Sequence, residues 1–181
     1  MVDDPAKLIR QLKTNIRALT RTPHFAQLVP EVGGNFVACV SGATELSQVA
    51  GLTGRIILVR GKPEAIGEVE FGWAPYMGRV ILKAHTLNES IHAAISLRHS
   101  NEITEAARRV GLQVIGFRLG ERAPIPDCMT LAGLTKFGFV PEVLFDWGAH
   151  GVEPLVVIFG PSPSIVTERV RSVLDQLLVD E

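Results

Sequence analysis

The chain has 181 residues, of which 46% are hydrophobic and 20% charged, a composition typical of one globular domain with a substantial apolar core. Its formal net charge is -1 and its 18 basic residues are scattered, which argues against a nucleic-acid-binding surface. The charged start of the chain, with Asp4, Lys7 and Arg10, argues against a signal peptide. No apolar stretch approaches the roughly 20 residues of a membrane helix. We therefore expect a soluble, cytoplasmic protein that binds neither membranes nor nucleic acid directly.

Residues 1–29 are expected to form a helical arm and residues 30–181 the core of the same single domain. After Asp4, an N-cap residue, and Pro5, apolar residues recur at helical spacing as far as Leu19. A short second helix should follow Thr22-Pro23. This pair of helices is too short to make a complete helix-turn-helix DNA-binding domain.

The core mixes predicted strands with predicted helices. Strands are expected at short apolar runs bounded by glycine or polar residues, namely 36–40, 55–60, near 66, 79–84, 112–117, 143–146 and 155–159. Helices are expected where apolar residues recur every three or four positions, namely 88–97, 102–110, 130–137 and 164–178. Residues 44–52 are expected to form a short helix or a loop, and residues 120–127 a polar loop.

Several of these strands are continuously apolar, which favours a sheet covered by helices on both faces. Some neighbouring strands lie too close in sequence for helical crossovers, so the sheet should be mixed rather than all parallel. The sequence thus predicts an α/β fold, a three-layer α/β/α sandwich.

Cysteines and histidines give no metal-binding pattern. Cys39 and Cys128 are too few for a disulfide framework and are interpreted as buried core residues. No pair among the five histidines has the i, i+4 spacing of a helical zinc site. Metal ligation by histidine is therefore not expected.

Small and polar residues cluster at both ends of the first predicted strand. Gly33, Gly34 and Asn35 precede it, while Ser41 and Gly42 follow it. Successive backbone N–H groups in such turns can form an anion nest for a phosphate. Plain structural turns are the alternative, since neither a Walker loop nor a dinucleotide fingerprint is present.

Two arginines are candidate phosphate clamps, because a guanidinium is always charged and has a planar fork of donors. Arg55 opens a predicted strand, and Arg98 is expected to close a helix beside His99 and Ser100. Surface ion pairs are the alternative for both arginines. Ser100 could equally serve as the N-cap of the next helix.

A loop between the last two predicted strands contains Asp146, Gly148 and Glu153. Loops of this kind often hold a ligand or a hydrated Mg²⁺ ion. A strand-linking turn with an exposed acid is the alternative interpretation.

Taken in order, these segments resemble the thiamine-phosphate synthase ThiN family over about residues 25–175. The likeness rests on short motifs in register, namely Pro30-Glu31-Val32-Gly33-Gly34-Asn35, Ser41-Gly42-Ala43, Gly54-Arg55-Ile56, Glu70-Phe71-Gly72, Leu97-Arg98-His99-Ser100, Val140-Pro141-Glu142-Val143 with Asp146-x-Gly148, and Gly151-Val152-Glu153-Pro154. The resemblance implies a class II aldolase-like fold. It also implies a reaction that joins hydroxymethylpyrimidine diphosphate to thiazole phosphate, giving thiamine phosphate and pyrophosphate with Mg²⁺ as helper.

The resemblance also implies residue roles. Arg55 would stabilise the departing pyrophosphate, Arg98 with His99 and Ser100 would bind or support the other phosphate, and the glycine segments would offer N–H groups to phosphate. Asp146 and Glu153 would orient the last loop or hold a hydrated metal. By analogy with other single-sheet domains, we also expect a homodimer.

Three positions depart from the family pattern. Tyr76 stands where synthases usually carry a functional histidine, Trp147 where an arginine is common, and Val152 where a lysine is common. These losses equally resemble a regulatory relative that senses thiamine phosphate without making it. Trp73, Tyr76 and Trp147 could stack on a bound aromatic ring or belong to the core.

Overall fold

A computed structural model describes residues 4–179, so residues 1–3 and 180–181 of the expected single domain lie outside the described part. Five helices are present in it, namely α1 (Pro5–Thr20), α2 (Pro75–Leu87), α3 (Asn101–Arg109), α4 (Met129–Phe137) and α5 (Pro163–Val179). Nine strands accompany them, namely β1 (Phe36–Cys39), β2 (Val49–Leu52), β3 (Ile56–Val59), β4 (Lys62–Ala65), β5 (Val69–Phe71), β6 (Ala93–Arg98), β7 (Val114–Phe117), β8 (Val143–Asp146) and β9 (Leu155–Gly160).

Seven strands form one mixed sheet in the order β5-β2-β1-β6-β9-β8-β7, while β3 and β4 pair as a separate hairpin. Neighbouring strands of the large sheet are antiparallel except β7 and β8, which are parallel. Because β1 and β2 are antiparallel, the start of β1 and the end of β2 lie at the same end of the sheet. The expectation of a mixed sheet is confirmed.

Helices cover both faces of the sheet, which confirms the three-layer arrangement. Alternate residues of a strand point to opposite faces. In β1, Phe36 and Ala38 join the core beneath α1, α3 and α5, whereas Val37 and Cys39 join the core beneath α2 and α4. The expected N-terminal arm packs against the sheet through α1, whose Leu8 is fully buried.

The predictions for residues 79–97 are wrong in two places. Residues 79–84, predicted as a strand, lie inside α2, which begins at Pro75 and buries Val80, Ile81 and Ala84 at helical spacing. Residues 88–97, predicted as a helix, form a turn and then β6. A short apolar run has no periodicity that separates a buried strand from a helix, and the alanines of β6 fit a central strand packed on both faces.

The region between residues 44 and 71 contains more strand than expected. Residues 44–52 include the short strand β2 after a single 3₁₀ turn at Leu46–Gln48, and β5 had no counterpart among the predicted elements. The remaining predictions, including the helices near residues 102–110, 130–137 and 164–178, are confirmed within one or two residues. Within residues 4–179, no helix has both the length and the apolar composition needed to cross a membrane.

Candidate functional site

A cleft of about 370 Å³ opens at the end of the sheet where β1 begins and β2 ends. Its walls are the loop before β1, the turn between β2 and β3, the first turn of α2 and the loop that leads into β9. Such a volume lies within the usual range for small-molecule sites, about 300–1,000 Å³. Six of the predicted site residues line the cleft, namely Gly33, Gly34, Asn35, Arg55, Tyr76 and Glu153, and so does Val152.

Two charged side chains of the cleft fix the loop before β1. The Glu153 carboxylate accepts hydrogen bonds from the backbone N–H groups of Glu31 and Val32, at 2.9 and 2.8 Å. The Arg55 guanidinium donates through Nη1 to the carbonyl oxygen of Val32, at 2.5 Å. Both oxygens of Glu153 therefore serve the backbone, which favours its loop-orienting role over the holding of a metal ion.

The glycine pair does not form the open phosphate nest expected from the sequence. The Gly33 N–H group donates to the carbonyl of Pro30 and the Gly34 N–H group to that of Ile56, at 3.0 and 2.8 Å. Gly33 has a φ of 78°, and a Cβ on Gly34 would lie 2.5 Å from the carbonyl oxygen of Ser96. The glycines are thus required by backbone conformation and close packing, and their N–H groups point at protein acceptors.

The polar groups of Asn35 likewise form hydrogen bonds within the protein. Its side-chain nitrogen donates to the carbonyls of Leu52 and Gly54, at 3.0 and 3.3 Å, and its side-chain oxygen accepts from Leu52 N–H at 3.1 Å. Its backbone N–H donates to Ser96 Oγ at 3.0 Å. The amide thereby extends the pairing of β1 with β2 by one position, and the expectation that it faces a phosphate is not supported.

The N-terminus of α2 borders the cleft, a feature missed because residues 79–84 were predicted as a strand. Ala74, Pro75, Tyr76 and Met77 all line it. The N-cap residue Ala74 makes no side-chain capping bond, and Pro75 has no N–H group. The N–H groups of Tyr76 and Met77 are therefore uncapped by a side chain, at the end of the helix where its dipole is positive. Helix ends of this kind favour anions.

Tyr76 is half-buried, with Cys128, Thr130 and Asp146 around its phenol. Burial is the main cause that raises the pKa of Tyr76 above its ordinary value of 10.0, and the neighbouring Cys128 and Asp146 raise it further. The phenol is consequently protonated at neutral pH. It can donate a hydrogen bond, but it cannot supply the positive charge of a protonated histidine.

Asp146 is a buried residue that forms hydrogen bonds with the loop between β8 and β9. The side chain is 1% exposed, and it accepts hydrogen bonds from the N–H groups of Gly148, at 2.7 Å, and Leu155. Burial raises the pKa of Asp146 from 3.8 to about 6. Gly148 has a φ of 63°, and a Cβ there would lie 2.3 Å from the carbonyl oxygen of Val152. These contacts agree with the expected loop-orienting role.

Ser41 and Gly42 do not join the cleft. They follow β1, whereas the cleft lies at the strand's beginning. Gly42 N–H donates to Nε2 of His85 at 3.1 Å. The two glycine segments therefore lie at opposite ends of β1 and do not line the same cleft.

Arg98, His99 and Ser100 also lie apart from the cleft. Arg98 ends β6 instead of closing a helix, and with Ser100 it lines a separate, open hollow beside α3. Ser100 Oγ accepts from Ile103 N–H at 3.2 Å, so Ser100 is the N-cap of α3. The His99 ring stacks on Phe145 with centroids 4.9 Å apart, and burial lowers the pKa of His99.

The two tryptophans are exposed and lie outside the set of described residues that line the cleft. Trp147 packs against Phe145, with ring centroids 4.7 Å apart, and the Arg118 guanidinium lies 4.4 Å from the Trp147 ring. Of the three aromatic residues proposed to stack on a ligand, Tyr76 is the one that lines the cleft.

Comparison with known proteins places the chain among thiamine biosynthesis proteins. It matches the family described as thiamine-phosphate synthase ThiN over residues 11–172. It is 30% identical to the bifunctional thiamine biosynthesis protein ThiDN of Methanocaldococcus jannaschii, covering 80% of this chain and 35% of that protein. It therefore spans about a third of that relative's length. It is 26% identical to the thiamine-phosphate synthase ThiN of Methanothermobacter thermautotrophicus, covering 92% of each chain.

Solved structures agree with this assignment. The C-terminal domain of a phosphomethylpyrimidine kinase superposes with a TM-score of 0.83 at 26% identity, covering 94% of this chain and 100% of that chain. L-fuculose-1-phosphate aldolase from Thermus thermophilus superposes with a TM-score of 0.55 at 8% identity, covering 94% and 93%, a likeness of fold alone. The expected class II aldolase-like sandwich is thereby confirmed. From the match over residues 11–172, the chain belongs to the thiamine-phosphate synthase ThiN family.

Proposed function

We propose that the cleft binds hydroxymethylpyrimidine diphosphate and thiazole phosphate and joins them to thiamine phosphate, releasing pyrophosphate. One observation carries this proposal: Arg55, Tyr76 and the uncapped N-terminus of α2 line a single cleft in a chain of the ThiN family. A fixed cation and a helix N-terminus are both groups that attract phosphate.

The proposed reaction needs little acid–base chemistry. The bond between the pyrimidine methylene carbon and the diphosphate oxygen breaks, and the lone pair of the thiazole nitrogen forms the new C–N bond. The electron pair of the broken bond leaves with pyrophosphate. The protein's task is then to hold two anionic substrates in line and to stabilise negative charge on the departing group.

Arg55 is the proposed stabiliser of that charge. A guanidinium has five N–H donors, so the contact of Nη1 with the Val32 carbonyl leaves donors that could bind a phosphate oxygen. The Val32 contact also fixes the direction of the side chain, which reduces the entropy lost on binding. Arg55 is exposed, so substrate would reach it without opening the core.

The first turn of α2 is the proposed second anion-binding element. The N–H groups of Tyr76 and Met77 would donate to phosphate oxygens, and the neutral Tyr76 phenol could add a hydrogen bond. These are neutral donors, however, and Arg55 is the one cation among the described residues that line the cleft. The proposed enzyme would therefore stabilise its leaving group mainly through one guanidinium and one helix end.

A magnesium ion, implied by the family, finds no ready site among these residues. Glu153 is the one carboxylate among the described cleft-lining residues, and its oxygens already accept two backbone N–H groups. Protein-bound Mg²⁺ usually takes one or two carboxylates together with substrate phosphates. The residues present do not fit a magnesium site of the protein's own, and the roles proposed above depend on protein groups alone.

Tyr76 favours a second candidate, a domain that binds thiamine phosphate as a sensor without making it. This candidate rests on the Tyr76 phenol, which is neutral at pH 7 because its pKa lies above 10.0, at the position where the family's synthases usually carry histidine. A site that binds the product needs anion recognition but no stabilisation of a departing pyrophosphate.

A product-formation assay with both substrates separates the two candidates. The proposed synthase forms thiamine phosphate above the uncatalysed background, and Tyr76→His forms it faster. The sensor binds thiamine phosphate in calorimetry but yields no product. In that case the same product assay is run on Tyr76→His, without and with added Mg²⁺. Product formed by this variant would show that the missing histidine is responsible. Absence of both product and binding would refute both candidates.

A further inference from the structure

Three side chains that the cleft does not use meet at the opposite end of the sheet. Cys39 ends β1, His85 lies in the last turn of α2, and His92 directly precedes β6. One potential ligand atom from each, the sulfur of Cys39 and a ring nitrogen of each histidine, lies within 4.8 Å of the other two. The histidine rings are 4.7 Å apart, centroid to centroid. These residues form the Cys39–His85–His92 cluster.

The His85 ring is held in one tautomer. Its Nδ1 lies 2.9 Å from the carbonyl oxygen of Ile91, which can only accept, and its Nε2 lies 3.1 Å from the N–H group of Gly42, which can only donate. Nδ1 therefore carries the hydrogen and Nε2 carries the lone pair. Histidine ligands of metals commonly donate their other N–H to a backbone carbonyl, which fixes the ring and raises the ligand's basicity.

The other two members lie on adjacent, firmly paired backbone. Cys39 N–H donates to the His92 carbonyl at 2.9 Å, and His92 N–H donates to the Gly160 carbonyl at 3.0 Å. Cys39 is fully buried, whereas His92 is only half-buried, so the cluster is reached from the His92 side. Ligands on paired strands and a helix are held more accurately than ligands on loops.

We propose that the Cys39–His85–His92 cluster binds a zinc ion, with water as the fourth ligand. One thiolate and two imidazoles suit Zn²⁺, which takes nitrogen and sulfur ligands in tetrahedral sites. Three protein ligands leave one position of a tetrahedron for water. This site would tie the end of α2 to β1 and β6, and it does not depend on the function proposed for the cleft.

Zinc binding would require three local changes. The Cys39 thiol releases its proton to solvent when the Zn–S bond forms, and the positive ion offsets the burial that raises the pKa of this thiol to about 12. His85 Nε2 exchanges its hydrogen bond with Gly42 for the metal. The exposed turn at Gly42 has open space around it, so it can move aside. Bond lengths of about 2.3 Å to sulfur and 2.0–2.1 Å to nitrogen require the ligand atoms to approach within about 4 Å of one another.

Metal titration of the tag-free, 181-residue chain tests the proposal. After removal of bound metals with a chelator, Co²⁺ serves as a spectroscopic probe and Zn²⁺ as its competitor. We expect one Co²⁺ per chain, with a thiolate-to-cobalt charge-transfer band, and its displacement by Zn²⁺. Cys39→Ser should abolish that band. Loss of a residue that only supports a metal ligand typically weakens metal binding by roughly 10–100-fold. Because His92 is a proposed ligand itself, His92→Ala should weaken Zn²⁺ binding by more than that.

Cys128→Ser is the matched control, because Cys128 is also buried but lies outside the cluster. This variant should keep the full cobalt spectrum and zinc affinity. Because Cys39→Ser could lower stability, circular dichroism of each variant must first show a folded chain, and the half-buried His92→Ala gives an independent result. Wild-type protein without a charge-transfer band, or with metal uptake equal to that of Cys39→Ser and His92→Ala, overturns the proposal.

Discussion

Replacing Asn35 with alanine should lower the stability of the fold more than it lowers the affinity for any ligand of the cleft. The side-chain amide makes three hydrogen bonds to the backbone of Leu52 and Gly54. At about 1 kcal/mol for each bond lost, the free energy of unfolding should fall by about 3 kcal/mol. For a chain of this size that corresponds to a Tm lower by about 6–12 °C.

Urea denaturation, followed by circular dichroism, measures this loss directly. Asn101→Ala is the matched control, because Asn101 is exposed at the first position of α3 and should change the free energy of unfolding by less than about 0.5 kcal/mol. Asn35→Asp should be at least as harmful as Asn35→Ala, since a carboxylate would face the two carbonyl oxygens. An Asn35→Ala variant of wild-type stability that fails to bind thiamine phosphate would refute the structural role and restore the phosphate-facing one.

Three further predictions concern the cleft and its surroundings. Arg55→Ala should lower kcat by about 100–1,000-fold, as loss of one preorganised charge-stabilising donor does. Arg17→Ala, on the exposed side of α1, should leave kcat unchanged. Steady-state kinetics would refute the role of Arg55 if the two variants had the same kcat. The folded-state pKa of Asp146 exceeds its ordinary value of 3.8, so the folded chain binds the extra proton, and the free energy of unfolding should decrease by about 2 kcal/mol as pH rises from about 4 to 6. Denaturation curves at several pH values should lose that slope in Asp146→Asn, and an unchanged slope would assign it to another group. Glu153→Ala should speed hydrogen exchange at the two backbone amides that its carboxylate holds, and exchange as slow as in wild type would show that the loop does not need this tether.

Helices such as α3 were predictable because the residues that begin and end a helix are visible in the sequence and agree with the tertiary structure. In α3, the N-cap residue Ser100 and the terminating Gly111 mark both ends of the helix, and the structure uses both. The order of α2 and β6 was not predictable, because the apolar run at residues 79–84 is too short to show its period. The packing of α2 across the sheet, rather than local propensity, decides its conformation.

The site was predictable in part, since sequence motifs identify residue types but not the end of the sheet at which they lie. Gly33 and Gly42 belong to the same family pattern, yet the strand between them advances about 3.3 Å per residue, which separates them across the sheet. The anion-binding end of α2 was missed together with the helix itself. Tyr76 was identified through its family position, whereas its burial against α4 depends on contacts between elements distant in sequence.

The Cys39–His85–His92 cluster shows the same limit. Cys39 and His85 are 46 positions apart in the sequence, and His85 and His92 are seven positions apart. Neither spacing is that of a helical zinc site. The antiparallel pairing of β1 with β6 and the packing of α2 bring them together. Spacing rules detect sites within one element, and this cluster draws on three.

The most direct test of the proposed function is the formation of thiamine phosphate from hydroxymethylpyrimidine diphosphate and thiazole phosphate by the purified chain. The synthase proposal predicts product and pyrophosphate in equal amounts, a rate that falls by about 100–1,000-fold in Arg55→Ala, and an unchanged rate in Arg17→Ala. No product above the uncatalysed background, from a folded wild-type chain supplied with both substrates and Mg²⁺, would contradict it.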